Sequence, residues 1–543
     1  MFGLMQDWPL LVHKIIDHAA LYYGTREIVT RSIEGPIVRT TYREIQARAR
    51  KVAQALDRFG IGAGDRVATM AWNTARHLES WYGITGVGGV YHTLNPRLFP
   101  DQIAWIANHA EDRVLFFDTT FAELVAELAP KMPSVKLFVA LTDRAHLPDA
   151  TIPDLVAYED FIAAMDGDFA WAEFDENTAC GLCYTSGTTG NPKGVLYSHR
   201  SNVLHALVAG QTDALGVKGA DAILPVVPMF HANAWALAFL APMIGAKLVM
   251  PGPKLDGPSV YELLDTETVT MTAAVPTVWL GLLQYLEQSG KTLPHLKRVV
   301  IGGSAAPRAM IETFETKYDV EVVHAWGMTE MSPIGTLGTL KAGMEELPYA
   351  QRLDFKVKQG HAPFGVEMKI VGDDDTELPR DGKAFGRLKV RGPSIAKGYF
   401  KGEGADAFDK DGWFDTGDVA TLGPEGYMTI TDRAKDVIKS GGEWISSIEI
   451  ENLAVGHPAV AEAAVIGVHH PKWDERPLLV IVLKEGQTAT KDDIQKFLAG
   501  KIAKWWMPDD VVFVESIPHT ATGKIQKITL RKTFADYRLP TVA

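Results

Sequence analysis

The most informative stretch of this chain is Tyr184-Thr185-Ser186-Gly187-Thr188-Thr189-Gly190-Asn191-Pro192-Lys193-Gly194. It combines four serine and threonine hydroxyls with three glycines and a lysine, directly after the apolar run 179–183. That run predicts a buried strand. Glycines let backbone N–H groups approach an anion, and hydroxyls and an ammonium group add further donors. The stretch therefore predicts a phosphate-binding loop, and a polar surface turn is the alternative.

The loop differs from the P-loop of nucleoside triphosphatases. That motif reads Gly-x-x-x-x-Gly-Lys-Ser/Thr. Here Gly190 is followed by Asn191 and Pro192, and Lys193 precedes a glycine rather than a hydroxyl residue. A P-loop kinase or GTPase is therefore disfavoured.

The composition indicates a soluble protein with more than one domain. With 543 residues, the chain is too long for one ordinary hydrophobic core, so two or more domains are expected. Hydrophobic residues make up 46% and charged residues 22% of the chain, as in soluble globular proteins. The net charge of −13 argues against nucleic acid or an anionic membrane as the main partner.

No segment predicts secretion or membrane insertion. Residues 1–11 have no cationic region ahead of an apolar core. The longest apolar stretch, 234–246, is shorter than the roughly 20 residues that a membrane-spanning helix needs. We therefore expect a cytoplasmic protein without an integral membrane segment.

The two cysteines, Cys180 and Cys183, have the C-x-x-C spacing of redox pairs and of zinc sites. A zinc site would need two more ligands. On a strand, residues three apart point to opposite faces, which separates the two thiols. We therefore interpret both as buried structural cysteines, and a thiol oxidoreductase is the alternative.

Strand-like and helical patterns alternate up to about residue 363, which predicts an α/β fold. Strands are predicted at 67–72, 113–117, 137–141 and 247–250, and helices at 77–87, 121–128 and 261–264. The clearest unit has a strand at 298–301, the turn 302–307, a helix at 308–317 and a strand at 320–323. Such a glycine-rich turn can present free N–H groups to an anion.

The pattern changes after about residue 363. Alternating runs at 366–371, 386–390 and 427–431 predict an antiparallel β-rich subdomain, about 363–431. Beyond the charged segment 432–436, a compact α+β pattern covers 448–453, 460–468, 478–483, 491–498 and 511–514. We place a domain boundary at Asp432, between a large domain (1–431) and a small one (432–543). A solvated turn between strands is the alternative at this position.

Further motifs follow the loop in order: Val227-Pro228-Met229-Phe230-His231, Gly302-Gly303-Ser304, Ala325-Trp326-Gly327-Met328-Thr329-Glu330, Gly412-Trp413-Phe414-Asp415-Thr416-Gly417-Asp418, the segment 432–445, and Pro518-His519-Thr520-Ala521-Thr522-Gly523-Lys524-Ile525. Together with the loop, they resemble the signatures of the adenylate-forming (ANL) superfamily. It includes acyl-CoA synthetases, peptide-synthetase adenylation domains and firefly-type luciferases. The resemblance covers essentially the whole chain. It implies a large domain of layered α/β subdomains and a small, mobile C-terminal domain with its hinge at Asp432.

The resemblance implies that ATP and Mg²⁺ activate a carboxylate. The acid joins the α-phosphate of ATP, pyrophosphate leaves, and the thiol of coenzyme A then attacks the acyl-adenylate. Trp326 would stack on adenine, where many relatives have tyrosine, and Asp418 would bind both ribose hydroxyls. The residues implied in binding ATP or AMP are Thr185, Ser186, Gly187, Thr188, Thr189, Gly190, Lys193, Gly303, Ser304, Ala325, Trp326, Thr329, Asp418, Arg433, Lys435, Lys439 and Trp444.

The implied catalytic residues are Lys524, Glu330, Thr329 and His231. Lys524 would bridge the carboxylate and the α-phosphate and stabilise charge as the bond forms, whereas a solvated loop lysine is the alternative. Thr185 and Glu330 would hold Mg²⁺. Rotation about Asp432 would withdraw Lys524 and present a CoA tunnel. The tunnel residues are Ser440, Gly441 and Gly442.

The implied acyl pocket predicts a small acid. Gly327 replaces a tryptophan that closes the pocket of acetyl-CoA synthetases, which favours an acid longer than acetate. Trp235 would close the pocket, although a core role is the alternative. Residues 230–236 contain no carboxylate to pair with an amino acid, which disfavours a peptide-synthetase domain. The pocket residues are His231, Trp235, Gly302, Gly327 and Pro333.

Residues 91–98 and 441–447 resemble one branch of the acyl-CoA synthetases. This branch contains medium- and long-chain fatty acyl-CoA ligases and 3-(methylthio)propionate–CoA ligases, often as homodimers. We predict the latter activity in a homodimer, with a medium- or long-chain fatty acid–CoA ligase as the alternative. The C-terminal residues 539–543 are not a peroxisomal signal, so a luciferase is not expected. A non-catalytic adenylate-binding protein is disfavoured by Lys524, Glu330 and Asp418.

Overall fold

The computed structural model describes residues 1, 3–185, 191–433, 436–441, 443–519 and 525–542, with the side chains of residues 443 and 444 left aside. Its strands are β1 (Glu27–Arg31), β2 (Ile37–Thr41), β3 (Arg66–Met70), β4 (Val90–Thr93), β5 (Val114–Phe117), β6 (Leu137–Ala140), β7 (Leu155–Ala157), β8 (Ala179–Tyr184), β9 (Gly194–Ser198), β10 (Ala222–Pro225), β11 (Lys247–Met250), β12 (Met271–Ala274), β13 (Arg298–Ile301), β14 (Glu321–Gly327), β15 (Ile334–Leu337), β16 (Glu367–Val371), β17 (Gly386–Arg391), β18 (Phe414–Leu422), β19 (Met428–Arg433), β20 (Ile438–Ser440), β21 (Glu443–Ile445), β22 (Val460–His470), β23 (Asp474–Leu483) and β24 (Asp510–Phe513).

The α-helices are α1 (His13–Tyr22), α2 (Tyr42–Arg58), α3 (Ala75–Gly86), α4 (Pro100–Ala110), α5 (Ala122–Leu128), α6 (Tyr158–Ala163), α7 (His199–Ala209), α8 (Leu237–Ile244), α9 (Gly257–Thr266), α10 (Pro276–Ser289), α11 (Arg308–Lys317), α12 (Tyr349–Lys356), α13 (Ser447–Val455), α14 (Lys491–Leu498) and α15 (Lys527–Thr533). Within the described residues, none of the helices has the length and apolar character needed to cross a bilayer.

Two large sheets build the N-terminal part of the molecule. The seven-stranded sheet has the order β7-β6-β5-β3-β4-β8-β9, and its strands are parallel except for the antiparallel pair β8–β9. The eight-stranded sheet has the order β15-β14-β13-β12-β10-β11-β1-β2, with antiparallel pairs only at its two ends. Parallel sheets need cover on both faces, which explains why β5 and β13 are almost entirely apolar.

One apolar core lies between these sheets and includes the inner faces of α2, α3 and α8. Its largest side chains come from the helices and from β4: the ring of Trp81 stacks on that of Tyr91, with centroids 4.3 Å apart. Phe239 packs against both rings. Helices buried between two sheets confirm the prediction of layered α/β subdomains.

Two smaller sheets follow. The antiparallel sheet β16-β17-β18-β19 is the predicted β-rich subdomain. The last sheet has the order β21-β20-β23-β22, with β24 parallel to β23, and α13 packs on β22. The predicted fold class, α/β with a separate C-terminal α+β unit, is confirmed.

Asp432 itself does not lie in a solvated turn. Asp432 lies in β19, pairs with Val419 and is 1% exposed. A buried carboxylate needs partners. The Ser447 amide donates to Asp432 Oδ2 (3.1 Å), and Lys527 Nζ lies 3.9 Å from Oδ1. The boundary and hinge at this position stay a prediction.

Candidate active site

The quoted loop connects the two strands of a hairpin, β8 and β9, whose last pair is Tyr184 and Gly194. Two hydrogen bonds close its base: the Thr185 amide donates to the Lys193 carbonyl (2.9 Å), and the Lys193 amide donates to Thr185 Oγ1 (3.2 Å). The preceding strand is buried, as predicted. The implied phosphate-binding residues Ser186, Gly187, Thr188, Thr189 and Gly190 lie outside the described residues.

The two cysteines of β8 are free and buried. Cys180 belongs to the large core, whereas Cys183 belongs to a separate small cluster beside Val195. Burial raises the pKa of both thiols, so neither is an activated thiolate. The structural interpretation is confirmed, and it argues against a thiol oxidoreductase.

The hairpin holds the segment that carries Thr329 and Glu330. Tyr197, on β9, donates its hydroxyl to the Thr329 carbonyl (2.7 Å). Tyr399 donates its hydroxyl to Glu330 Oε1 (2.6 Å) and lies with its ring centroid 5.0 Å from the ammonium of Lys193. The loop lysine and the buried carboxylate of Glu330 are thereby joined through one tyrosine ring. Burial, and then the charge of Glu330, raises the pKa of Tyr399, so its hydroxyl stays a donor.

The oxygen ligands offered by Thr185 and Glu330 fit a magnesium ion. A threonine hydroxyl and a carboxylate are hard oxygen ligands, which Mg²⁺ prefers. Tyr399 occupies Oε1 of Glu330, so Oε2 is the oxygen that could coordinate a cation. Across the described residues, no group of three His, Cys, Asp or Glu side chains could hold a metal. A cation would therefore depend on phosphate oxygens as well, which is the usual arrangement for Mg²⁺.

The second part of the site is built around Asp418, which is 2% exposed. Trp326 Nε1 donates to Asp418 Oδ2 (3.0 Å), and Arg433 Nε lies 2.8 Å from Oδ1. The Asp418 amide donates to Thr416 Oγ1 (3.1 Å). Each carboxylate oxygen has two lone pairs, so each oxygen can still accept a hydrogen bond from a hydroxyl group. Trp326 thus has a role that the sequence did not indicate: it orients the carboxylate implied in ribose binding.

The third part joins Trp235 to the end of β13. A Cβ on Gly302 would lie 2.9 Å from Trp235 Cη2 and 2.9 Å from the Ala325 carbonyl oxygen. The indole tip therefore fills the space beside Gly302 and Ala325. Gly303, next in the turn, has φ +83°, a conformation that favours glycine. Its neighbour Ser304 is exposed in the same turn.

Trp235 is presented by an unusual left-handed turn. All five residues of Ala232–Ala236 have positive φ, from 48° to 68°, and all are buried. A buried hydrogen-bond chain fixes Asn233. The Tyr91 hydroxyl donates to Asn233 Oδ1 (3.0 Å), and Asn202 Nδ2 donates to the Tyr91 hydroxyl (3.0 Å). Because left-handed residues other than glycine are strained, this buried network is what maintains the turn.

The backbones of Gly327 and Pro333 lie in close contact. A Cβ on Gly327 would lie 2.0 Å from the Pro333 carbonyl oxygen, where β14 and β15 approach each other. Glycine is therefore required here by the backbone, independently of acyl-chain length. His231 directly precedes the left-handed turn in an extended conformation, and its amide donates to the Pro228 carbonyl (3.1 Å).

Two buried histidines support the site and were not found from the sequence. His205 Nε2 accepts from the Ile334 amide (3.0 Å), and His324 Nε2 accepts from the Ala306 amide (3.3 Å). Burial lowers the pKa of His205 to about 3 and that of His324 to about 4, so both are neutral acceptors. Neither lies in a motif, and only the distant chain segments that they hold reveal their role.

The implied CoA-tunnel residues lie in the C-terminal sheet. Ser440 Oγ accepts from Arg476 Nη1 (3.2 Å), and Gly441 has φ +61° with a Cβ position 2.9 Å from the Trp473 ring. The Lys439 amide donates to Glu475 Oε2 (3.1 Å). Lys435, Gly442 and Lys524, and the Trp444 side chain, lie outside the described residues.

Comparisons with known proteins place this site in a family. Residues 16–400 match the model of the AMP-binding enzymes, and residues 449–524 match the model of the AMP-binding enzyme C-terminal domain. The chain belongs to the AMP-binding enzyme family. The prediction of an AMP-forming acyl-CoA synthetase is confirmed at the level of this family.

Several relatives of this AMP-binding enzyme are similar over nearly their whole length. It is 52% identical to 3-methylmercaptopropionyl-CoA ligase from Ruegeria lacuscaerulensis, with 99% of each chain covered. It is 48% identical to medium-chain-fatty-acid–CoA ligase from Ectopseudomonas oleovorans, over 99% of this chain and 98% of the relative. It is 45% identical to a long-chain-fatty-acid–CoA ligase from Thermus thermophilus, over 98% of this chain and 97% of the relative.

Solved structures have the same architecture. An anthranilate CoA ligase in complex with anthranoyl-AMP superposes with a TM-score of 0.85 at 25% identity, over 97% of this chain and 99% of the other. ATP-bound MatB from Rhodopseudomonas palustris superposes with a TM-score of 0.81 at 26% identity, over 96% of this chain and 99% of the other.

Proposed function

We propose that this AMP-binding enzyme is a 3-(methylthio)propionate–CoA ligase. It joins the acid to the α-phosphate of ATP, with release of pyrophosphate, and transfers the acyl group from the adenylate to the thiol of coenzyme A, with release of AMP. The observation that carries this proposal is the Trp235 indole, whose tip fills the space beside Gly302 and Ala325 and would limit the length of an acyl chain bound there. The similarity to ligases of this name supports it.

A panel of acids tests the substrate. CoA-dependent AMP formation is measured with 3-(methylthio)propionate, propionate, butyrate, hexanoate and laurate. We expect the highest kcat/KM for 3-(methylthio)propionate. The highest kcat/KM for laurate would favour the second candidate, a fatty acid–CoA ligase, which the similarity to medium- and long-chain enzymes supports.

A variant of the pocket sharpens this test. Trp235→Ala should open the pocket, so kcat/KM for laurate should rise at least about tenfold, the effect of a few buried methylene groups. Trp8→Ala is the matched control because Trp8 is 59% exposed. An unchanged acid preference in Trp235→Ala would place the acyl group elsewhere.

We propose that Thr185 and Glu330 hold the magnesium ion that ATP brings to the site. The bound cation would neutralise charge on the phosphate oxygens. Tyr399 would orient Glu330 for this task. Tyr399→Phe should weaken the dependence of ATP binding on Mg²⁺, measured by calorimetry with and without chelator. Equal Mg²⁺ dependence in both proteins would contradict the assignment.

We propose a hinge at Asp432 that alternates Lys524 with the residues of the CoA tunnel. The position of Asp432 in the last strand before the C-terminal sheet supports it. Proline fixes φ, so Asp432→Pro should impair acyl-CoA formation more strongly than pyrophosphate release. A variant with both steps intact would refute the hinge.

We further propose a cytoplasmic homodimer. Two free, buried cysteines fit a reducing compartment. The edge strand β2 exposes Ile37 and Val38, and such a strand is suited to pair with a second copy. The chain has a mass of 59.4 kDa, and light scattering should give twice this mass for the parent protein. The Val38→Lys variant should have the mass of a single chain. A monomeric parent protein would exclude the dimer.

A further inference from the structure

The left-handed turn Ala232–Ala236 carries the indole that closes the proposed acyl pocket. Four of its five residues are alanine or tryptophan, for which a positive φ is strained. Strained backbone persists only where the surrounding contacts determine it, and it clusters at functional sites. The contacts that hold this turn therefore determine where the Trp235 indole lies.

The fifth residue of the turn, Asn233, places its polar side chain inside the apolar core. Asn233 Oδ1 accepts from the Tyr91 hydroxyl (3.0 Å), which accepts in turn from Asn202 Nδ2 (3.0 Å). Asn202 Nδ2 also donates to Cys180 Sγ (3.3 Å). All four residues are buried, and together they form what is here called the polar chain.

The polar chain starts on regular elements that leave its hydroxyl little freedom. Tyr91 lies in β4, Cys180 in β8 and Asn202 in α7. The Tyr91 ring stacks on the ring of Trp81, with centroids 4.3 Å apart. On β8, a Cβ at Gly181 would lie 2.5 Å from the Tyr91 hydroxyl oxygen, so the backbone closely borders this hydroxyl. The turn must therefore adopt the conformation that brings Asn233 to the hydroxyl.

The polar chain favours one conformation of the turn over its alternatives. If the turn relaxed to right-handed backbone angles, Asn233 would leave the Tyr91 hydroxyl, and polar groups without partners would stay buried. Burial raises the pKa of the Tyr91 hydroxyl far above its usual range, so the hydroxyl stays protonated and donates. The hydrogen bonds of the polar chain thus offset the strain of the turn.

The indole at the other end of this path contacts the second large sheet. Trp235 follows Asn233 by two residues, and its ring fills the space beside Gly302, directly after β13. The path therefore runs from β4 and β8 of the seven-stranded sheet to the end of a strand in the eight-stranded sheet. A turn that loses its hold on Asn233 would let the indole move away from Gly302.

We propose that Tyr91, Asn202 and Asn233 are positioning residues that set acyl-chain selectivity through the Trp235 indole. This inference rests on the proposed function, since it places the acyl group beside Trp235. Loosening the polar chain frees the indole, so longer acids are accepted while the use of ATP is unchanged. Selectivity then depends on buried side chains below the pocket as well as on the side chain that closes it.

The test measures a selectivity ratio, kcat/KM for laurate divided by kcat/KM for 3-(methylthio)propionate. Tyr91→Phe keeps the stacked ring and removes the hydroxyl. We expect the ratio to rise at least threefold in this variant, with the KM for ATP within twofold of the parent protein. Tyr42→Phe is the matched control, because Tyr42 is buried and its hydroxyl donates to the Ala246 carbonyl (2.6 Å), outside the polar chain. Equal ratios in the two variants overturn the proposal.

A double variant shows whether Tyr91 acts through the indole. In a Trp235→Ala background, adding Tyr91→Phe should change the selectivity ratio by less than twofold, because the side chain that it positions is absent. Effects of independent sites multiply instead. A double variant with the product of the two single effects therefore overturns the proposal.

A second double variant shows whether Tyr91 acts through the turn. Ala234 has φ 49°, and glycine adopts such a conformation without strain. Adding Ala234→Gly to Tyr91→Phe should therefore return the selectivity ratio to within twofold of the parent protein. A shift that glycine does not reduce would mean that the hydroxyl acts by another route, and it overturns the proposal.

A milder variant serves if Tyr91→Phe does not fold. Asn202→Ala keeps the hydrogen bond from Tyr91 to Asn233 and removes only the group that donates to the hydroxyl. The selectivity ratio should rise about twofold. In that case Asn202→Ala decides, and a ratio equal to that of Tyr42→Phe overturns the proposal.

Trp235→Ala alone separates this inference from the proposed function. An unchanged acid preference in Trp235→Ala contradicts the proposed acyl pocket itself. A changed preference in Trp235→Ala, together with the parent ratio in Tyr91→Phe, contradicts only the role of the polar chain.

Discussion

At the scale of single residues, the hydrogen bond from Trp326 to Asp418 leads to a prediction about ATP binding. Trp326→Phe removes the donor to a buried carboxylate, and such a bond is worth about 1.5–3 kcal/mol. The KM for ATP should rise about tenfold or more, with kcat within threefold. Trp413→Phe, a partly exposed tryptophan of the same subdomain, is the control. An unchanged KM would show that Arg433 alone orients Asp418.

A second residue-scale prediction concerns stability against pH. Asp118 is buried, accepts from the Trp72 amide (2.6 Å) at Oδ2, and has no partner at Oδ1 within the described residues. Burial raises its pKa to about 8, far above the unfolded value of about 3.9. This carboxyl is therefore favourable in the folded state only when protonated. Its contribution is full below pH 4 and is lost as the pH rises through 8.

Asp118→Asn removes this titration and keeps an acceptor for the Trp72 amide. Between pH 5 and 8, the free energy of unfolding of the parent protein should fall more steeply than that of the variant, by up to about 1.4 kcal/mol per pH unit. Chemical denaturation at four pH values measures both slopes. Parallel curves would show that Asp118 is ionised in the folded protein.

Sequence reasoning at this scale finds residues inside motifs and misses their supports. Glu330 and Asp418 lie in quoted motifs, whereas Tyr399, Tyr197 and His205 do not. Each of these three contacts a segment more than 60 residues away in the sequence. The separation is 69 residues for Tyr399–Glu330, 132 for Tyr197–Thr329 and 129 for His205–Ile334. Such contacts depend on sheet order, which periodicity does not report.

At the scale of elements, the left-handed turn Ala232–Ala236 can be tested by glycine substitution. A left-handed residue costs roughly 1–2 kcal/mol unless it is glycine. Ala234 has φ 49°, whereas Ala238 lies in the right-handed helix α8, and both are buried. Ala234→Gly should therefore destabilise the protein by about 1–2 kcal/mol less than Ala238→Gly, measured by chemical denaturation. Equal losses would mean that the turn is not strained.

The strands and helices that were predicted lie within a few residues of observed elements, because the elements of α/β layers have strong apolar periodicity, but they cover only about half of the observed ones. The unit 298–323 and helix α14 are examples. Strand β18 (Phe414–Leu422) was missed, since its first half alternates acidic residues with glycine and threonine. The left-handed turn was also missed: it has no glycine, and its conformation is imposed by the network around Asn233 and Tyr91.

At the scale of the whole molecule, strand β14 brings the three parts of the site together. It supplies Trp326 toward Asp418, its carbonyl at Ala325 lies beside Gly302 and Trp235, and it ends just before Glu330. The family resemblance implied a shared site, but not which contacts join its parts. Those contacts follow from the pairing of β14 between β13 and β15.

We propose that Lys524 drives formation of an acyl-adenylate from a carboxylate and ATP. The most direct measurement is carboxylate-dependent exchange of labelled pyrophosphate into ATP, in the parent protein and in Lys524→Ala. We expect exchange with 3-(methylthio)propionate in the parent protein and a loss of about 100-fold or more in Lys524→Ala, with thioester formation from supplied acyl-adenylate retained. No exchange with any acid, or equal loss of both half-reactions in Lys524→Ala, would contradict the claim.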